Sequence, residues 1–134
     1  MSKDHEGGCL CGRVRFRVTA PAMESGYCHC RMCQKNSGAP VVAWTTFPAD
    51  SFAWIGEPPA TYQSSSQSRR QFCPHCGSYM VFASDRFPDE AIVNTASFDD
   101  PEAFPPDMHI FVSTRISWLH MDDGLPEYQE YRTK

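Results

Sequence analysis

The sequence predicts a mainly β fold, and three observations carry that expectation. Short apolar or alternating runs recur along the chain, each bounded by Pro, Gly, Asp or Ser turn chemistry. Only two segments have the spacing and caps of a helix. Eleven prolines, including the pairs Pro58-Pro59 and Pro105-Pro106, interrupt any longer element. At 134 residues and 41% hydrophobic content, the chain can bury about two thirds of its unfolded surface. Residues 1–134 are therefore expected to form a single domain of antiparallel sheets with one or two short helices, without repeat or linker.

Taken in order, the first strand is expected over Arg13–Thr19. There Val14, Phe16 and Val18 alternate with Arg13, Arg15 and Arg17, which puts the apolar set on a core and the arginines on a solvated face. Cys30–Ser37 reads as a helix closed by Gly38 as its C-terminal cap. Pro40–Phe47, Ser51–Ile55, Arg69–Phe72, Tyr79–Ala83, Ala91–Asn94 and His109–Thr114 read as further strands. A turn of helix is expected at Asp99–Phe104, with Asp99 or Asp100 capping it and Pro101 in its first turn. Ser64–Ser68 is expected to be a solvated loop, and Trp44, Trp54 and Trp118 to serve core or sheet surface rather than a substrate platform.

Composition excludes several functions. The formal charge is -4, with 12 Lys+Arg against 16 Asp+Glu and a pI near 5.7. Without a basic cluster beyond Arg69-Arg70, nucleic acid is not the expected partner. The longest apolar stretches, Pro40–Trp44 and His109–Val112, fall far short of the about 20 residues a membrane helix requires. Charge and glycine near the N-terminus stand where a secretory signal would be apolar, so a cytoplasmic protein is expected.

The cysteines carry the chemistry. Seven of them fall into three tight groups: Cys9-Leu-Cys11, Cys28-His-Cys30-Arg-Met-Cys33 and Cys73-Pro-His-Cys76. An odd number, with no secretion signal, fits metal better than a disulfide framework. Cys9 and Cys11 are followed by Gly12, and Cys73 and Cys76 by Gly77. A positive φ after each pair would aim backbone N–H groups at sulfur, so these pairs look like halves of one structural zinc site. Cys28, Cys30 and Cys33 leave a tetrahedral zinc one ligand short, which invites a thiol substrate at a second, open site beside a helix start. The alternatives are a closed second zinc, with His29, His75 or His109 as fourth ligand, or oxidation to a Cys28–Cys33 or Cys30–Cys33 disulfide.

The stretches Gly7-Gly-Cys-Leu-Cys-Gly-Arg-Val-Arg-Phe16, Cys28-His-Cys-Arg-Met-Cys-Gln-Lys-Asn-Ser-Gly-Ala39 and Arg70-Gln-Phe-Cys-Pro-His-Cys-Gly-Ser78 closely resemble the glutathione-dependent formaldehyde-activating enzyme family. Ala96–Pro101, Pro106–Phe111, Trp118 and Asp123–Pro126 match its later landmarks. The resemblance also reaches centromere protein V. It implies a zinc-containing β-tent fold, with a structural zinc at Cys9, Cys11, Cys73 and Cys76 and a second zinc at Cys28, Cys30 and Cys33. Two Zn2+ per chain follow. For activity it implies a carbon–sulfur lyase that joins glutathione and formaldehyde in S-hydroxymethylglutathione.

Ser37, Ser68, Arg70 and His109 are the candidates to bind a substrate carboxylate or move a proton, since a guanidinium clamps a carboxylate in bidentate fashion. His109 is equally readable as a satisfied histidine on a core strand. The expected partner is a small-molecule thiol such as glutathione, with neither nucleic acid nor membrane. A metal-stabilised binding module without catalytic activity is the competing expectation. The oligomeric state is not legible.

Overall fold

The computed structural model describes residues 4–132, so the first three residues of the N-terminal segment and the last two of the chain lie outside it. Among the described residues, ten strands form two sheets, with one α-helix beside them. The strands are β1 (His5–Gly8), β2 (Arg15–Val18), β3 (Glu24–Cys28), β4 (Val42–Pro48), β5 (Phe52–Trp54), β6 (Ala60–Gln63), β7 (Ser68–Phe72), β8 (Tyr79–Ser84), β9 (Glu90–Asn94) and β10 (His109–Ile110). The helix α1 spans Arg31–Ser37. A small antiparallel sheet has the order β1-β2-β5, and a seven-stranded sheet the order β10-β3-β4-β9-β8-β7-β6. All pairs in the large sheet are antiparallel except β10 with β3. The fold is mainly β, as the turn chemistry predicts.

The main core lies between the two sheets. Val14, Phe16 and Val18 are fully buried, and the Phe16 ring stacks on Phe52 and meets Trp54 and Phe98 edge-on. Phe47, Met80 and Val93 enter the same core from the large sheet. On the outer face of β2 the arginines are paired rather than merely solvated. Arg15 binds Asp99 through two N–H groups at 2.9 and 2.6 Å, and Arg17 binds Glu6.

The opposite face of the large sheet has a different use. Strand residues alternate in direction, so where Thr45, Phe47 and Val93 face inward, Val42, Trp44 and Ile92 face outward and line a cavity of about 380 Å³. A second, smaller core of Cys28, Trp44, Met108 and Ile110 sits at this face.

Local expectations hold in part. Gly38 closes α1 in the left-handed conformation, and its N–H bonds the Gln34 carbonyl. The 99–104 segment is a 3-10 turn over Pro101–Ala103 with Pro in its first turn. Asp100 takes the N-cap position without a side-chain cap bond, and Asp99 is committed to Arg15.

The strand expected over His109–Thr114 lasts only two residues. Phe111 takes φ 57° in the left-handed region, which costs a non-glycine residue about 1 kcal/mol. Its ring packs edge-on against Tyr131 at 4.8 Å, and its N–H bonds the Glu130 carbonyl. The chain turns here into a 3-10 segment over Val112–Thr114. Among the described residues, no helix is long and apolar enough to cross a membrane.

Candidate metal centres

Two short turns build the first cluster. The Gly12 N–H bonds the Cys9 carbonyl at 3.1 Å, the Gly77 N–H bonds the Cys73 carbonyl at 2.8 Å, and both glycines have φ near +80° (83° and 80°). Only glycine takes that conformation without crowding Cβ. The sulfurs receive their N–H groups from other residues: Val14 donates to Cys9 at 3.3 Å, and His75 and Cys76 donate to Cys73 at 3.3 and 3.4 Å. Cys9, Cys11, Cys73 and Cys76 have their sulfurs within 4.8 Å of one another and can hold a metal ion. Cys9 and Cys73 are part of the main core. The Leu10 N–H donates to Ser78 Oγ, whose oxygen lies 3.2 Å from Cys76 Sγ, and the hydroxyl holds that thiol down to about 5. His75 faces away, bonded to Arg13 and near Glu57.

The second cluster forms where β3 ends and α1 begins. Cys28 is the last residue of β3, Cys30 is the N-cap residue of α1 and accepts from the Cys33 N–H at 3.3 Å, and Cys33 Sγ lies 3.4 Å from Cys28 Sγ. These three sulfurs also lie within 4.8 Å of one another, and no histidine or carboxylate of the described residues joins them. As thiols they titrate together. Hydrogen bonds from Cys28 and Cys33 hold Cys30 down to about 2, while Cys30 pushes Cys28 far up. Cys33, although the bond with Cys28 works the other way, is pushed up to about 12 by Cys30 and by burial. One negative charge thus settles readily among three sulfurs, and further ionisation requires a cation.

All three of these cysteines line the 380 Å³ cavity. Arg70 lines it too. It lies in β7 directly across from Phe82, and it is only 6% exposed. Its guanidinium sits 5.0 Å from the Phe82 ring centroid and 5.6 Å from that of Tyr79, and Nη1 donates to Tyr79 Oη at 3.1 Å. A bulge makes this clamp possible. The register passes from Gln71 opposite Val81 to Phe72 opposite Tyr79. Met80 is skipped and buried in the main core, so Tyr79 and Phe82 both face the cavity. Burial pushes the Tyr79 hydroxyl up to about 12, which keeps it neutral beside the guanidinium.

The other candidates lie elsewhere. Ser37 is exposed at the end of α1, where its hydroxyl donates to the Cys33 carbonyl and accepts from the Ala39 N–H. Ser68 bonds Ser84 on the neighbouring strand. His109 is fully buried beneath β3. Its Nε2 meets Asp123 Oδ2 and its Nδ1 meets His29 Nε2, both at 2.8 Å. Because the carboxylate accepts from His109 Nε2, His109 Nδ1 accepts from His29, and His29 Nδ1 is left as an acceptor without a partner. Burial holds His29 down to about 4 and therefore neutral. Neither histidine lines the cavity. Ser37, Ser68 and His109 do not line it, and their polar atoms are spent on helix-end, strand and tail contacts.

Sequence reasoning missed Tyr79, Phe82 and Gln34. Gln34 is buried in α1, and its amide donates to the carbonyls of His29 and Thr114, which fixes the helix that carries Cys33. A glutamine on the inner face of so short a helix was its only signal.

The profile of the glutathione-dependent formaldehyde-activating enzyme family matches residues 4–114. The chain belongs to this family. A Halomonas elongata protein named as a candidate glutathione-dependent formaldehyde-activating enzyme is 29% identical over 126 residues, covering 87% of this chain and 80% of that protein. A crystal structure of a Rhodobacter sphaeroides protein superposes with a TM-score of 0.58 at 21% identity, covering 92% of this chain and 98% of that one. That second likeness concerns the fold alone.

Proposed function

We propose that the protein is a zinc-dependent carbon–sulfur lyase-type enzyme acting on glutathione or a related thiol and its aldehyde adduct. Cys9, Cys11, Cys73 and Cys76 would hold a structural zinc, and Cys28, Cys30 and Cys33 a second zinc at the reaction centre. The observation that carries this reading is the three-sulfur cluster, which has no fourth protein ligand among the described residues and lines the cavity. Soft thiol donors, without carboxylate, are the donor set that suits zinc. When bound, the metal supplies a Lewis acid that keeps a substrate thiol ionised near neutral pH.

The chain's own residues do the rest. Arg70 faces the cavity with no carboxylate partner among the described residues and is placed to hold an anionic group of the substrate. Val42, Trp44 and Ile92 keep water from the sulfurs. In the addition direction, sulfur attacks the carbonyl carbon, a C–S bond forms, and the carbonyl oxygen takes up the proton the thiol gave up. The reverse breaks that bond and returns thiol and aldehyde. The Halomonas elongata relative's name supports the substrate pair.

The test is zinc stoichiometry on protein purified under reducing conditions, with X-ray absorption before and after excess glutathione. Two zinc per chain and a rise in mean sulfur coordination are expected. Two zinc without change, or a single zinc fully coordinated by sulfur, would replace the enzyme with the binding module.

A further inference from the structure

The cavity beside Cys28, Cys30 and Cys33 is larger than formaldehyde requires and less polar than glutathione requires. Formaldehyde has one carbon, whereas about 380 Å³ are present, a size within the range of sites that enclose whole small molecules. Its apolar walls are Val42, Trp44, Phe82, Ile92, Ile110 and Phe111, with Thr46, Tyr79 and Asn94 as the uncharged polar side chains between them. Glutathione carries two peptide groups, two carboxylates and an ammonium, and each would need a partner on leaving water. Aromatic and aliphatic walls give few.

The polar groups inside are few and specific. Arg70 is the cation of the interior, more than nine-tenths buried, with aromatic rings on two sides and a neutral hydroxyl as its side-chain hydrogen-bond partner. No ion pair is formed by it among the described residues. It lines the same cavity as the three sulfurs. The remaining charged lining residues are engaged: Arg132 pairs with Glu24 at 3.8 Å, Arg86 lies over the rings of Phe87 and Tyr131, and Glu90 has a contact of its own. One buried guanidinium matches one carboxylate.

We propose that the cavity selects a compact thiol, or the aldehyde adduct of one, whose carbon skeleton is apolar or aromatic and which carries a single carboxylate for Arg70. It selects this class over the hydrophilic tripeptide. The inference rests on the reading of the three-cysteine cluster as a thiol-binding centre and deepens it to a substrate class.

Calorimetric titration of the zinc-loaded protein tests it with four probes. They are 2-mercapto-3-phenylpropanoic acid, 3-phenylpropanoic acid, which lacks the thiol, 2-phenylethanethiol, which lacks the carboxylate, and glutathione. The mercapto acid is expected to bind at least tenfold more tightly than glutathione, and loss of either its thiol or its carboxylate to cost at least tenfold. Arg70→Gln should abolish the advantage of the carboxylate. Because Arg70 is buried, Val42→Thr provides a near-isosteric second variant, expected to weaken the mercapto acid severalfold and glutathione hardly at all.

Glutathione binding as tightly as the mercapto acid would overturn the substrate class and leave the thiol-binding centre standing. Binding of 3-phenylpropanoic acid as tight as that of the mercapto acid, or no binding of any thiol, would overturn both. Equal binding of 2-phenylethanethiol would remove Arg70 from the assignment and the single carboxylate with it.

Discussion

Cys9, Cys11, Cys73 and Cys76 come from two turns far apart in the chain and meet against the main core, whereas Cys28, Cys30 and Cys33 come from one strand end and one helix start and face a cavity. The first cluster has four sulfurs, a full tetrahedral set, and ties the turn between β1 and β2 to the turn between β7 and β8. The second has three and ties together only residues already adjacent in sequence. A metal in the first therefore closes a long loop, while a metal in the second constrains little chain and leaves a coordination position to the cavity. The ligand type is shared. Position in the topology separates a cluster set against the core from one open to a cavity.

Breaking the first cluster should have the largest effect. Cys73 is fully buried in the core, and a structural zinc contributes on the order of 10 kcal/mol to folding. Cys73→Ser is expected to abolish the cooperative thermal transition seen by circular dichroism. The matching change in the second cluster, Cys30→Ser, should lower the melting temperature by only a few degrees. It should also remove one zinc equivalent and cut turnover by about a hundredfold or more, as loss of a catalytic metal centre does. If both variants unfold alike, the two clusters are both structural.

A chelator sharpens the same contrast kinetically. Zinc release followed with a chromogenic chelator should be biphasic, with one equivalent leaving fast from the cavity side and one slowly, the slow phase accompanied by loss of near-ultraviolet dichroism. Tyr79→Phe is a milder probe. It removes the hydroxyl that accepts from buried Arg70 and should cost about 1 kcal/mol in denaturant unfolding, while both zinc equivalents are retained.

The smallest effect lies on the outer face of β2, beside the first cluster. The Arg15 guanidinium holds the Asp99 carboxylate below its ordinary value of 3.8. A depressed carboxylate contributes its stability above the unfolded value and loses it as pH falls through the folded one. Both groups are partly exposed, so the contribution is about 0.5 kcal/mol. Asp99→Asn should reduce stability by that amount at pH 7 and flatten its fall below about pH 4. Denaturant midpoints across pH 2.5–7 check this, on the order of a 0.2 M shift in urea.

Legibility followed the strength of local constraint. The arginine and apolar alternation of β2 and the Gly38 cap were readable because each is decided within a few residues. β1, β3 and β6 were not. His5–Gly8 contains two glycines, Glu24–Cys28 lacks a clear alternation, and Ala60–Gln63 is an edge strand with most side chains in solvent. Their strand character comes from the neighbours that pair with them. The short extent of β10 was hidden for the opposite reason: an apolar run suggested a strand, and the left-handed turn at Phe111 is set by the C-terminal segment folding back on it.

At the site, the sequence by itself determined the three local cysteine groups, because two or three thiols within a few residues meet in any compact turn. It also determined the family, through motifs spread along most of the chain. Only the tertiary structure decided that His109 is spent on His29 and Asp123, and that Ser37 and Ser68 serve local bonds. It also placed Arg70, among the candidate contacts, beside the sulfurs, between two rings brought to one face by a bulge. The reason is physical: each cysteine pair or triplet needs only local chain geometry, whereas the meeting of two distant pairs and the walls of a cavity depend on strands far apart in sequence, whose register and bulges no single segment encodes.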